Sequence, residues 1–248
     1  MVHALKLPQW SGHFDNPDHA MKQILKLFFG ILLLWVLLYQ VWVLLHILWW
    51  VDHNPDSTAF MEARLEVMQE ANPKAQLQQQ WVPYARISSH LKRAVVAAED
   101  SRFVEHRGFD WNGIETACEK NLRKGKIVAG GSTISQQLAK NLFLSGHRTP
   151  WRKVQEAIIT FMLENLMSKR RILEIYLNVI EWGDGVFGVE AAAKHYFHGN
   201  ARSLGPTEAA RLAAMIPNPR FYDAHRKTRF LNRHAGTIQA RMRLVKVP

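Results

Sequence analysis

The sequence predicts a mainly α domain carried behind one N-terminal membrane helix. Three observations point there. Residues 27–51, LFFGILLLWVLLYQVWVLLHILWWV, hold no charged side chain over 25 positions. From Ile87 onward, apolar residues recur at helical spacing. Strand-like alternation is nearly absent. The 248 residues are 48% apolar, enough to bury a core, which excludes a wholly disordered chain.

The apolar run comes first. At about 1.5 Å per residue it reaches roughly 37 Å, against a hydrocarbon core of about 30 Å, so it can span with some tilt. Lys22 and Lys26 precede it, Asp52 and Asp56 follow it, and the next cation is Arg64. The positive-inside rule then makes 1–26 a cytoplasmic tail, 27–51 the transmembrane helix, and everything later extracytoplasmic. Trp49 and Trp50 close the run where an interfacial aromatic belt lies. A cleavable signal peptide fits less well, because the run is too long and no small-x-small site follows. Residues 52–81 are polar and read as a stalk, with a short helix over 57–70. Residues 82–248 form the outer domain.

Within it, each helix announces its own start. Ser88 or Ser89 caps one that carries Leu91, Ala94, Val95 and Ala98. Asp110 caps Trp111 to Arg123. Thr133 and Gln136 make a capping box ahead of Ile134, Leu138 and Leu142. Thr149–Pro150 opens a helix expected to bury Val154, Ala157, Ile158, Phe161 and Met162. Ser168 opens one ending near Asn178, and Gly205–Pro206 opens one that Pro217 stops. The last, 227–246, sets Leu231, Ala235, Ile238, Met242 and Val245 on one stripe.

Charge narrows the partner. Lys and Arg number 32 against 21 Asp and Glu, a net +11. Residues 1–51 hold three basic and two acidic side chains, so the outer part keeps 29 − 19 = +10. Such a surplus favours an anionic partner. The single cysteine, Cys118, excludes an intramolecular disulfide and a cysteine-rich zinc site. Seven basic residues and no acidic one fall in 224–248, where membrane headgroups fit better than nucleic acid beside an outward-facing anchor.

Four blocks can carry chemistry. In AAEDSRFVEHRGFD (97–110), Glu99 and Asp100 end an apolar helix, which suits either proton transfer by a carboxylate beside buried surface or, for the pair taken alone, ordinary helix-end charge. Phe103 and His106 point back toward them and Gly108 permits a tight turn. In GGSTISQQLAKN (130–141), Ser132 lies at a helix start that favours anions, and Gln136, Gln137 and Lys140 oppose the apolar stripe. In RTPWRKVQE (148–156), Arg148, Arg152 and Lys153 crowd a helix N-terminus, where cations are tolerated if an anion binds. Glu156 sits one turn on, equally suited by spacing to a structural pair or to catalysis. In SKRRILEIYLN (168–178), Glu174 reads as a structural ion pair with Arg170 and Arg171. Ser89-His-Leu-Lys92 matches the SxxK acyl-serine pattern without its KTG or SDN companions, so it is a chance match.

Together, in order and spacing, these blocks resemble the peptidoglycan glycosyltransferases of glycosyltransferase family 51. The carrying residues are Glu99 to Gly108, Gly130 to Asn141, Arg152 to Glu156 and Lys169 to Asn178. A looser fifth block contains Arg229 and Arg233. The likeness covers roughly 82–245 and suits the single-domain, monofunctional members. It implies a lysozyme-like helical fold at a bacterial inner membrane, with the catalytic domain periplasmic. The implied substrate is lipid II, polymerised into β-1,4 glycan with inversion and release of undecaprenyl pyrophosphate. Glu99 would be the general base and Glu156 the second acidic residue. Ser132, Gln136, Gln137, Lys140, Asn141, Arg148, Arg152 and Lys153 would bind substrate. Asp100, Phe103, His106, Gly108 and Glu174 would shape the site. No cofactor is required by this reading, with Mg²⁺ or Mn²⁺ near Glu156 as an option. Partners would be lipid II, the growing glycan strand, the membrane, and division or cell wall synthases, with no nucleic acid. Two rivals remain on sequence alone: a glycan-cleaving muramidase and a membrane-tethered basic scaffold.

Overall fold

The computed structural model describes residues 17–126, 130–144 and 149–248. Helix α1 runs Pro17–Asp52, and from Met21 to Asp52 it is long and apolar enough to cross a membrane. The chain divides into two compact units, one ending at Leu45 and one from His46 to Pro248. In the first, most apolar side chains from Met21 to Trp42 are exposed, Trp35 by 69%. An apolar helix so little covered by protein is consistent with a single-pass membrane anchor.

The second unit begins with the last turns of α1. Trp50 lies against Phe143 with ring centroids 5.3 Å apart. The Arg171 guanidinium donates to the carbonyls of Trp50 and His53 and to Asn54 Oδ1, so a distant cation closes the carbonyl end of α1. Helix α2, Ala59–Ala71, starts at Thr58, whose hydroxyl accepts the Met61 N–H at 3.1 Å. Strand β1, Gln78–Gln79, follows. Thus residues 52–81, expected to be a stalk, are instead part of the compact unit. Met61 is buried, and β1 pairs parallel with β3, Val186–Phe187. On its other side β3 meets β2, Glu181–Gly183, antiparallel.

The caps read from the sequence close the main helices. Helix α3 is Ser89–Glu99 behind Ser88, and α4 is Trp111–Lys124 behind Asp110, whose carboxylate accepts the Gly113 N–H. Helix α5, Ile134–Phe143, carries the Thr133–Gln136 capping box. Helix α6, Pro150–Leu166, starts at Thr149, and α7, Lys169–Val179, at Ser168. Then come α8, Val189–Phe197, α9, Pro206–Met215, the short α10, Pro219–Ala224, and α11, Arg229–Arg241. A 3-10 turn over Met242–Leu244 replaces the last helical turn expected there. Helices α3, α9 and α11 form one packed layer around Val95, Leu212 and Leu231, and α5 packs on α2, α6 and α7.

The expected face of α6 is turned. Its buried residues are Gln155, Glu156, Ile159, Thr160 and Leu163. Trp151, Val154 and Phe161 are exposed, Phe161 by 65%, and Ala157, Ile158 and Met162 are only partly covered. Polar partners draw the helix round: Thr160 Oγ1 donates to the Glu156 carbonyl, and Glu156 meets two cations. An apolar stripe at spacings of three, four and three is left facing outward.

Gly108 anchors the junction between these helices. Its φ is +85°, and an added Cβ would lie 2.8 Å from Thr160 Cγ2 and 3.0 Å from Glu164 Cγ. Its carbonyl accepts the Thr133 hydroxyl at 2.7 Å. Gly108→Ala therefore costs stability of about 1–3 kcal/mol through strain and crowding. Thermal unfolding of the purified variant checks this; an unchanged midpoint refutes it.

Candidate active site

A cleft of about 610 Å³ opens between α5, α6 and the β2–α10 side of the unit. Ser132, Gln136, Gln137, Lys140 and Asn141 line it from the start and exposed face of α5, and Arg152, Lys153 and Glu156 from the first turns of α6. Tyr176 of α7 joins them.

A chain of hydrogen bonds runs into the first carboxylate. Glu99 ends α3, and its Oε2 accepts from Gln137 Nε2 at 2.7 Å. The same amide's Oε1 accepts from the Tyr176 hydroxyl at 2.8 Å. Burial pushes the Glu99 carboxyl above the ordinary glutamate value; the Gln137 bond lowers it, Asp100 raises it, and Lys140 lowers it. Burial, with Glu99 and Asp100 near, also raises Tyr176, so its phenol stays a donor. Asp100 is occupied otherwise: His106 Nε2 lies 2.9 Å from one oxygen, and the Ile134 N–H donates to the other at 3.1 Å. It thereby ties the end of α3 to the start of α5. Phe103 is fully buried under the Lys169 ammonium, 4.4 Å from the ring centroid. Lys169 in turn pairs with Glu164 at 2.8 Å, and Ser135 donates to that same carboxylate.

The cation cluster surrounds the second carboxylate. Glu156 is buried, with Arg152 at 3.4 Å from one oxygen and Lys153 on the other. The first turn of α6 carries no acidic residue, so its dipole adds to the positive field. Arg152 Nε is buried with no hydrogen-bond partner in the protein. A buried donor in that state is costly unless a ligand oxygen meets it. This arrangement does not suit a divalent metal on Glu156. Both oxygens already face cations, and no group of three His, Cys, Asp or Glu converges among the described residues.

Other sequence candidates sit elsewhere or do other work. Gln136 closes the α5 cap, its Oε1 accepting the Thr133 N–H at 3.0 Å, while still touching the cleft. Asn141 donates to the Gln137 carbonyl at 2.8 Å and so steadies that residue. Glu174 is away from the cleft wall: it accepts the Tyr84 N–H at 2.8 Å and pairs with Arg171 at 2.9 Å. Arg148 lies outside the described residues. Sequence reasoning missed Phe60, Glu181, Asn218 and Arg220 on the cleft wall. They come from α2, β2 and the α9–α10 junction, far apart in the chain, and no local pattern links them.

A family profile described as transglycosylase matches residues 65–243. The chain belongs to the transglycosylase family. Its relatives include the biosynthetic peptidoglycan transglycosylase of Methylobacillus flagellatus, 67% identical over 88% of this chain and 95% of that protein. The protein of the same description from Chromobacterium violaceum is 59% identical over 92% of this chain and 100% of its own length. That from Laribacter hongkongensis is 61% identical over 88% and 95%. The transglycosylase profile begins within α2, in keeping with a compact unit that includes this helix.

Proposed function

We propose that the protein polymerises lipid II into linear peptidoglycan glycan strands at the outer face of the bacterial inner membrane. One observation carries this reading. Tyr176 and Gln137 line the same cleft as Lys140, Arg152 and Lys153, and the Glu99 carboxylate accepts from Gln137 directly behind that wall, so a proton acceptor stands one hydrogen bond from an anion cradle. Relatives described as peptidoglycan transglycosylases support the reaction class. A hydrolase cutting finished glycan expels no pyrophosphate, and so has no leaving anion for this cluster to meet.

In the reaction, a hydroxyl of the acceptor sugar gives its proton to Glu99 as its oxygen attacks the anomeric carbon of the donor. The bond from that carbon to the pyrophosphate oxygen breaks, and the β-1,4 bond forms with inversion. No covalent enzyme intermediate is needed. Negative charge grows on the leaving pyrophosphate, where Lys140, Arg152 and Lys153 meet it. The proton on Glu99 then passes to solvent or to the departing phosphate. No step passes through a metal. The outward stripe on α6 suits a substrate whose tail stays in lipid, since Trp151, Val154 and Phe161 can enter the interface. The N-terminus lies in the cytoplasm in this reading, and division or wall synthases are its partners.

The test is full-length protein in detergent with fluorescent lipid II. Polymer together with released undecaprenyl pyrophosphate is expected; hydrolysis products alone refute the reading. The pH profile adds a second check. Glu99 must be ionised to accept a proton, and burial raises its pKa, so the acid limb of kcat/KM stands above the ordinary glutamate value of 4.5. Gln137→Met removes a bond that favours the carboxylate, so the limb moves to higher pH. A limb that stays still shows that Gln137 does not tune the base.

A further inference from the structure

The cleft has a second charged assembly that the reaction described above leaves unused. Glu181 on β2 is buried yet lines the cleft. Its Oε1 is 3.3 Å from Arg64 Nε on α2, and its Oε2 is 3.7 Å from Arg220 Nε on α10. The β2–β3 pairing is irregular between Glu181 and Gly183, and a bulge of this kind re-aims a side chain. Gly183 is pressed against α8 and α10: a Cβ there would lie 2.8 Å from Asp223 Oδ2. Asp223, also on α10, accepts the Asp184 N–H at 3.0 Å. Helix α10 is therefore fastened to the hairpin through Asp223, one turn from Arg220.

The two arginines are in different states. The Arg64 side chain is 13% exposed, donates to Asp184 and stands in ion-pair range of Glu181, so its charge is balanced within the fold although its Nε makes no hydrogen bond. The Arg220 side chain is 54% exposed, and its ion pair with Glu181 is too long to be a hydrogen bond. A guanidinium offers five N–H donors in a planar fork suited to a carboxylate or phosphate. Arg220 thus presents a positioned, under-used fork to a cleft whose other cations already serve one anion.

We propose that Arg220 binds a second oxyanion of the glycolipid substrate, distinct from the leaving pyrophosphate, and that Glu181, held by Arg64, positions it. This rests on the lipid II reading above. The oxyanion is a carboxylate of the peptide stem or a phosphate of the second lipid-linked sugar. Either one makes the same paired contact with the fork.

The experiment is steady-state polymerisation by full-length protein. Arg220→Ala is expected to raise KM for lipid II by about 10- to 100-fold, the size of a lost charge-assisted contact, with kcat nearly unchanged. Its KM should also respond less to salt than the parent's. Arg220→Lys keeps the charge without the fork and should recover part of the loss. Glu181→Gln should raise KM by a smaller factor, and the double variant should be no worse than Arg220→Ala alone, because both act on one contact. Parental KM and salt response in Arg220→Ala overturn the binding role. Additive effects overturn the positioning role. Arg220 is half exposed and its loss does not threaten the fold, so that variant decides even where Glu181→Gln misfolds. A lipid-linked disaccharide without peptide separates the sources: equal KM in parent and Arg220→Ala assigns the stem carboxylate, and a persisting gap assigns the phosphate. If the parent makes no polymer at all, the broader reading has failed, a result distinct from a failure at Arg220.

Discussion

Glu99→Gln is expected to lower kcat by about 10²- to 10⁴-fold, the usual contribution of a positioned general base, while the protein stays folded. The amide is nearly the same shape as the carboxylate, and its oxygen can still accept from Gln137 Nε2. What it loses is the ability to take a proton. Burial already disfavours the charge at this position, so removing it spares desolvation and should leave the melting temperature unchanged or slightly raised. Polymerisation of fluorescent lipid II, with a thermal melt beside it, reads both quantities. Polymer at the parental rate from a folded variant excludes Glu99 as the base.

Glu156→Ala is the second large effect, and it falls on stability as well as activity. The carboxylate is buried between Arg152 and Lys153. Removing one member of such a group leaves uncompensated positive charge, typically at a cost of about 3–5 kcal/mol. Lys153 is half exposed and can turn to water, so the low end of that range is expected. Near the low end, about 3 kcal/mol, a domain of this size melts about 6–12 °C lower. Activity falls with it, because the cations that would meet the leaving pyrophosphate in the proposed reaction are no longer held. Replacing Arg152 and Glu156 together by Met should recover most of the stability and none of the activity. Recovery of both shows that the pair only supports the fold.

Much of the fold was legible because helix starts are written locally. Ser88, Asp110, Thr133, Thr149 and Ser168 each satisfy an orphan N–H within three residues of themselves, so their effect is visible in a short window. The buried face of α6 was not legible, for a physical reason. Periodicity arguments place apolar residues inside, but here Gln155, Glu156 and Thr160 are inside, Glu156 lining the cleft between two cations and Thr160 bonding its carbonyl. The small sheet was hidden too, since its strands are two or three residues long and carry no alternation. At the site, residues within one helical turn of each other could be grouped from sequence, as with Arg152, Lys153 and Glu156. The pairing of Arg64 with Glu181, or of Glu99 with Gln137, exists only after folding brings distant segments together.

The outward stripe on α6 has a consequence for how the enzyme is held. An isolated amphipathic surface of three or four apolar side chains is a weak membrane ligand. Joined to a helix that crosses the membrane, as the proposed reading has it, such a surface would meet the bilayer at an effective concentration on the order of millimolar, so weak affinity would be enough to keep it engaged. Two attachments also constrain rotation where one does not. Under the proposed reading, the apolar helix would set residence at the membrane, and the stripe would add a second, weaker hold.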